Sequence, residues 1–174
     1  MNNYQHYGVE EAVAKAYLTY VRDHIRLVRE AGERLGVPEE QLQVHDASKM
    51  SQAEFPGYAL HFFGGGSPDL CAAAWLHHLQ ANAHHWQHYL FPDGFTPKGS
   101  TVEAGALPMP EEYVLEMVAD WQAMSMGQTR SWDMTDWLSN NLGKLRLHSL
   151  TRARLGTVLQ GLGYREVWEA TGNG

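Results

Sequence analysis

The sequence predicts an all-α fold, a single-domain bundle of about six or seven helices over residues 1–174. Apolar residues recur at spacings of three and four along most of the chain, and no segment alternates apolar and polar residues as a strand would. The β-branched residues Val, Ile and Thr are sparse. A chain of 174 residues, 44% hydrophobic and 19% charged, suits one core.

Three short patterns define the predicted N-terminal helices. Apolar residues share one helical face over residues 9–35, and Gly36-Val37-Pro38 ends that helix. Residues 39–50 are expected to form a short helix or turn that enters the core. The Ser-x-x-Glu sequence at residues 51–54 has the form of a capping box, which predicts a third helix reaching toward Phe63.

Ser67-Pro68-Asp69 opens a fourth predicted helix, which continues through a histidine-rich segment to about Leu90. Residues 91–110 are rich in Pro and Gly and predict a loop long enough to serve as a lid. Further helices are predicted over residues 110–126, 135–145 and 150–162.

Composition excludes several classes of function. A net charge of −7 disfavours general nucleic-acid binding, which depends on Lys and Arg neutralising phosphates. The apolar stretches are too short for a transmembrane helix and the N-terminus lacks a signal-peptide layout, so we expect a cytoplasmic protein that does not engage membranes. Cys71 is the single cysteine, so any metal would be held by His, Asp and Glu. A local patch of positive charge near the C-terminus suits phosphate binding, helix C-terminal charge or a subunit contact in a homo-oligomer; it consists of Lys144, Arg146, Arg152, Arg154 and Arg165.

Several ionisable residues fall on predicted apolar faces. The chain has ten histidines, and His24, the pair His45-Asp46, and Asp120 lie on or beside the apolar faces of separate helices. If they converge, they would suit Mn, Fe, Co, Ni or Zn; otherwise each is a hydrogen-bonded core residue. In the fourth helix, His78 and His85 are seven residues apart and would share a face, and His84 and His88 form an i, i+4 pair. If Asn82 breaks this helix, His84 or His85 would instead reach a site independently.

Lys49 would lie just outside a metal held at Asp46. A lysine beside a metal can bind an anionic substrate as a point charge, although an ordinary surface lysine accounts for it equally well. No phosphate-binding glycine loop and no Gly-x-Ser-x-Gly nucleophile element occurs in the sequence.

The order His24, then His45-Asp46-Ala47-Ser48-Lys49, then Asp120 resembles the HD-domain superfamily of metal-dependent phosphohydrolases, over about residues 10–125. More closely, three motifs resemble those of a family of short bacterial and phage proteins within or near that superfamily. They are HDxSK at residues 45–49, HxxxNxHHW at 78–86 and EMxADW at 116–121. Ser48 stands where the wider superfamily usually has Gly.

The resemblance implies an HD-like helical bundle, one or two divalent ions (Mn, Fe, Co, Ni, Zn or Mg) and hydrolysis of a nucleotide or related phosphoester. It implies metal ligation by His24, His45, Asp46 and Asp120, with His78 and His85 available to a second ion. Asp46 and Lys49 would take part in catalysis, with Glu54 or Glu116 as general base. Lys49, Asn82 and His84 would contact substrate. Two alternatives remain: a di-iron oxygenase of the same superfamily, and a non-catalytic metal-containing protein that binds or sequesters a nucleotide.

Overall fold

A computed structural model describes residues 7–92 and 96–173, and in these residues it contains eight α-helices and no strand. The all-α prediction is confirmed. The helices are α1 Glu11–Leu35, α2 Glu39–Leu42, α3 Phe55–Ala59, α4 Pro68–Ala81, α5 Glu111–Thr129, α6 Thr135–Asn141, α7 Ser149–Gly161 and α8 Arg165–Trp168. No helix in the described ranges is long and apolar enough to cross a membrane.

Short irregular helical turns link several of these elements. A 3₁₀ turn at Ala47–Met50 follows the His45-Asp46 pair, and a π-helical turn at Leu60–Gly64 extends α3. A second 3₁₀ turn, Trp86–Tyr89, follows the histidine-rich segment after α4.

The chain divides into two compact units, each built from two separate segments. Unit 1 contains the described residues up to Arg26 together with residues 43–82, and unit 2 contains residues 27–42 and those from 83 onward. The apolar core of unit 1 includes Tyr17, Val21 and Phe55. Unit 2 has one apolar cluster around α5, α6 and α7 and another where Val28 and Ala31 pack with residues of α5. The prediction of a single domain over residues 1–174 stays a prediction.

In unit 1, α3 packs closely on α4 at Gly57. A Cβ atom added to Gly57 would lie 2.5 Å from the Leu70 carbonyl oxygen and 2.9 Å from the Ala74 Cβ. Glycine therefore allows the two backbones to approach, which places α4 and its histidines beside α3.

The capping-box prediction at residues 51–54 is wrong in its local geometry. The helix begins at Phe55, with Glu54 rather than Ser51 at the N-cap position, and Glu54 makes no capping hydrogen bond with its side chain. Its carboxylate instead binds two histidines of α4. A long-range contact has replaced the local one.

The fourth helix ends nine residues earlier than predicted. Asn82 adopts an extended conformation at the C-cap, and its side-chain amide donates to the His78 carbonyl oxygen at 2.9 Å. His84 and His85 consequently lie beyond the helix, so the predicted shared face of His78 and His85 and the i, i+4 pair of His84 and His88 do not form.

The later part of the predicted loop over residues 91–110 is attached to neighbouring segments by bridges and side-chain contacts. Residues 93–95 of this loop lie outside the described ranges. Isolated antiparallel bridges join Ala106 to Leu90 and Glu103. The Glu103 carboxylate accepts a hydrogen bond from the Ser149 hydroxyl at 2.7 Å and lies 3.5 Å from Nε2 of His148. Closure of this loop over a substrate stays a prediction.

Candidate metal centre

Buried histidines and carboxylates are grouped in a way that could hold a metal ion. Within unit 1, three histidines lie around Asp46, which is only 1% exposed. Its φ of 58° places it in the left-handed region, where Asp is among the few residues other than Gly tolerated. Such backbone strain is characteristic of functional sites, and here it accompanies a carboxylate directed into the protein.

Three imidazole nitrogens surround the Asp46 carboxylate. Nε2 of His24, from α1, lies 3.3 Å from Oδ2, and Nε2 of His45 lies 3.4 Å from the same oxygen. Nε2 of His78, from α4, lies 3.3 Å from Oδ1. All three histidines are buried. We call these four residues and Lys49 the Asp46 cluster.

Lys49 supplies the positive charge of the cluster. Its Nζ lies 2.6 Å from Asp46 Oδ2, and its side chain is 18% exposed, so it has one side toward solvent. Burial by itself would raise the pKa of Asp46, but the Lys49 ammonium and the His45 and His24 imidazoles hold that pKa well below its usual range. Asp46 is therefore ionised at neutral pH.

Glu54 orients His78 by contacting the ring nitrogen that faces away from Asp46. Its Oε2 lies 2.9 Å from Nδ1 of His78, its Oε1 lies 2.7 Å from Nδ1 of His77, and the residue is fully buried. Burial acts to raise the pKa of Glu54, but hydrogen bonds from His78, Ser48 and His77 leave it lower than usual. An ionised Glu54 accepts a proton from Nδ1 of His78, and in the tautomer that carries only this proton the Nε2 lone pair faces Asp46.

This tautomer is the one that a metal ligand needs. A lone pair 3.3 Å from a carboxylate oxygen requires a second proton or a cation near both atoms, because two acceptors repel. Metal-ligating histidines commonly donate their other ring nitrogen to a carboxylate, as His78 does to Glu54. Three Nε2 atoms and a carboxylate are also a suitable donor set for a borderline divalent cation, so the residues present fit a metal ion.

Asn82 and Ser48 connect two of the segments that carry the Asp46 cluster. The Asn82 amide donates to the Ser48 hydroxyl at 2.7 Å and to the His78 carbonyl oxygen at 2.9 Å. It thereby ties the 3₁₀ turn of residues 47–50 to the end of α4. Binding of substrate by Asn82 stays a prediction.

Unit 2 contains a separate polar group on α5. Glu116 is buried, with Oε1 lying 3.2 Å from Nδ1 of His84 and Oε2 accepting a hydrogen bond from Gln41. The His85 ring lies 4.2 Å from the His84 ring, centroid to centroid. Asp120, which is 9% exposed, follows Glu116 by four residues and so lies on the same side of α5.

The structure thus brings together seven of the predicted site residues in unit 1. His24, His45, Asp46, Lys49 and His78 form the Asp46 cluster, and Glu54 and Asn82 contact His78. In unit 2 the structure joins Glu116 to His84, with His85 against His84. Ligation by His85 and Asp120, substrate binding by His84 and general-base catalysis by Glu54 or Glu116 stay predictions. Both oxygens of Glu54 already bind imidazoles.

Sequence reasoning missed three contributors. His77 is not among the predicted site residues, yet its Nδ1 lies 2.7 Å from Oε1 of Glu54. Ser48 was noted only as a departure from Gly. Gln41 had no signal at all, since its partner Glu116 lies 75 residues along the chain.

In a comparison with known protein families, the model of a family of unknown function (DUF5662) matches residues 13–161. No curated protein and no solved structure matches the chain. The matched range includes every member of both polar groups.

Proposed function

The chain belongs to the DUF5662 family of unknown function, and we propose that it is a metal-dependent phosphohydrolase acting on a nucleotide or related phosphoester. The arrangement that supports this most is the Asp46 cluster: three imidazole nitrogens within 3.4 Å of the oxygens of one buried carboxylate. The resemblance to HD-domain phosphohydrolases agrees with it.

His24, His45, Asp46 and His78 would hold a divalent cation. When bound, the cation would supply a Lewis acid for a phosphoryl oxygen and would lower the pKa of a water molecule. Glu54 keeps His78 in the tautomer that presents Nε2, and Asp46 remains ionised because Lys49 and the histidines lower its pKa.

Lys49 has a second role in the proposal. Its ammonium is partly exposed while it contacts Asp46, so it can also attract a phosphoryl oxygen and offset the negative charge that develops on it. His85 and Asp120 are proposed as further ligands, His84 and Asn82 as substrate contacts, and Glu116 as the general base, each to be tested by its own substitution.

The test combines elemental analysis with a phosphate-release screen of the full chain. Nucleoside mono-, di- and triphosphates and cyclic dinucleotides would be supplied with Mn²⁺, Co²⁺ or Mg²⁺. We expect bound metal and release from at least one substrate, with both lost in Asp46→Asn. Asn suits this substitution because it tolerates the left-handed backbone of residue 46.

His61→Ala is the matched control, because His61 is an exposed histidine of unit 1 outside the Asp46 cluster. It should retain metal and activity. Phosphate release that persists in a folded Asp46→Asn protein would overturn the proposal. Bound metal without release from any substrate would also overturn it, in favour of the non-catalytic alternative, and a paramagnetic di-iron signal would favour the oxygenase.

A further inference from the structure

Two buried tyrosines of unit 1, Tyr17 on α1 and Tyr58 on α3, carry hydroxyl groups with no hydrogen-bond partner in the part of the chain that the structure describes. Tyr17 is 1% exposed and Tyr58 is 6% exposed. Buried polar atoms in folded proteins are nearly always paired, and an unpaired hydroxyl is costly. A phenylalanine ring would fill the same space without that cost. The two hydroxyls therefore point to a partner that is not part of the chain.

Both tyrosines are placed beside the Asp46 cluster. The Tyr58 ring meets the His78 ring edge to face, with the ring centroids 6.1 Å apart. The Tyr58 backbone N–H donates to the Glu54 carbonyl oxygen at 3.1 Å, so Tyr58 lies one turn after Glu54. Tyr17 precedes His24 by seven residues on α1, which puts the two side chains on nearly the same face of that helix.

The two phenols are also neighbours of each other. Their ring centroids are 6.4 Å apart, and the Tyr17 ring packs edge-on against Phe55 at 5.0 Å. Burial raises the pKa of each phenol above its ordinary value, and the charges of Asp46 and Glu54 raise it further. Each hydroxyl therefore stays protonated and is available as a neutral hydrogen-bond donor.

The nearby carboxylates already have other partners. Asp46 Oδ2 lies 2.6 Å from the Lys49 ammonium, and its Oδ1 lies 3.3 Å from Nε2 of His78. Both oxygens of Glu54 are bound to imidazoles, those of His77 and His78. The acceptor for the two phenols is therefore an oxygen that comes from outside the chain.

An anionic oxygen is the acceptor that suits such donors best. Hydrogen bonds to a charged acceptor are shorter and about twice as strong as those between neutral groups. Lys49 and a divalent cation at the cluster would together carry more positive charge than Asp46 and Glu54 carry negative charge. The site would then attract a tetrahedral oxyanion, whose several oxygens can accept from two donors at once.

We propose that Tyr17 and Tyr58 bind the phosphoryl group of the substrate, each hydroxyl donating a hydrogen bond to a phosphoryl oxygen at the Asp46 cluster. The identity of the ligand rests on the proposed function. The two residues add uncharged contacts to the charge of Lys49, and they are separate from the groups that would hold the cation.

The test is a calorimetric titration with inorganic phosphate, in the presence and in the absence of Mn²⁺, which requires no turnover. Tyr17→Phe and Tyr58→Phe should each weaken phosphate binding about 10-fold, because each loses one hydrogen bond to a charged oxygen. The double variant should bind more weakly than either. Tyr20→Phe is the matched control, since Tyr20 is a 46% exposed tyrosine of the same helix as Tyr17. It should bind phosphate like the unmodified chain.

Two further measurements separate binding from a structural role. The affinity for Mn²⁺ should be the same in Tyr17→Phe, Tyr58→Phe and the unmodified chain, because neither hydroxyl is a proposed ligand. The free energy of unfolding of the ligand-free protein should not fall in either variant, since no hydrogen bond within the chain is lost. Added phosphate should raise Tm less in the variants than in the unmodified chain.

Equal phosphate affinity in the unmodified chain and in both variants would overturn the inference, and so would an unmodified chain that binds no phosphate. A loss of stability in the ligand-free variants would also overturn it, because it would show that water already satisfies the hydroxyls. Failure of the proposed function is distinguishable. Phosphate bound through the two tyrosines, with no release from any substrate, would contradict hydrolysis and support the oxyanion site.

Discussion

Nδ1 of His78 lies 2.9 Å from Oε2 of Glu54, and both residues are almost completely buried. This contact joins α4 to the N-cap of α3 and determines which nitrogen of His78 faces Asp46. It gives Glu54 a positioning role that can be separated from metal ligation.

Glu54→Gln removes the charge behind His78 while retaining the shape of the side chain. The amide can still accept a hydrogen bond at its oxygen, but it no longer favours the Nε2 lone pair as strongly. We expect metal affinity to fall about 10- to 100-fold. Calorimetric titration with Zn²⁺ or Mn²⁺ measures the effect, and Glu33→Gln, on the exposed side of α1, should bind like the unmodified chain. Equal affinity in both variants would contradict the positioning role.

Lys49→Met should separate metal binding from turnover. The substitution retains the apolar stem but removes the ammonium 2.6 Å from Asp46. Metal content should persist, while kcat/KM for the best phosphate ester falls about 100-fold or more because developing charge is no longer offset. Since Asp46 would lack its lysine, added metal should raise Tm more in this variant than in the unmodified chain. Loss of metal together with activity would instead assign Lys49 to assembly of the site.

Acid should destabilise the metal-free protein partly through Glu54. The pKa of Glu54 in the folded state lies below its ordinary value of 4.5. Its contribution to stability is therefore fully present above that ordinary value and is lost as the pH falls through the lower folded-state pKa. Urea unfolding at a series of pH values should show a smaller loss of stability in Glu54→Gln than in Glu33→Gln. Parallel curves would contradict the lowered pKa.

Two buried tyrosine hydroxyls should contribute nothing to the stability of the protein. The hydroxyls of Tyr17 and Tyr58 are buried and have no hydrogen-bond partner among the described residues. Burial is the main cause that raises the pKa of each hydroxyl, and the carboxylates of Asp46 and Glu54 raise both pKa values further. Each hydroxyl therefore stays protonated. Tyr58→Phe should leave the free energy of unfolding unchanged or raise it by about 1 kcal/mol.

Tyr164→Phe is the control for that measurement. Its hydroxyl accepts a hydrogen bond from the Met134 backbone N–H at 3.1 Å, so its loss should cost about 1 kcal/mol. Urea denaturation compares the two variants directly. A cost in Tyr58→Phe as large as that in Tyr164→Phe would show that the Tyr58 hydroxyl is bonded in solution.

Gly57→Ala should loosen the packing of α3 on α4. The added Cβ would meet the Leu70 carbonyl oxygen and Ala74, neither of which is a flexible group, so we expect a cost of about 1–3 kcal/mol. Gly127→Ala in α5, where nothing lies within 4 Å of the added atom, should be neutral or slightly stabilising. Similar stabilities in denaturant would contradict the close approach of the two helices.

Long periodic segments were predictable because their signal is local. The helices α1, α5 and α7 lie within a few residues of their predicted bounds, since each repeats apolar residues over three or more turns. The short α8 was missed because four residues carry too little periodicity. The end of α4 was misplaced because apolar and histidine residues continue past Ala81, and a break at Asn82, although Asn is a known stop signal, was only the alternative prediction.

By itself, the sequence determined the all-α class, limited any metal site to His, Asp and Glu ligands, and predicted that His24, the pair His45-Asp46 and Asp120 lie on or beside the apolar faces of separate helices. These follow from residue type and spacing. Only the tertiary structure decided that Glu54 binds His77 and His78 instead of capping its helix, and that one side of α4 is exposed. Both outcomes depend on which segments of the chain meet after folding, and a contact between distant residues competes with the local one on the basis of burial and charge.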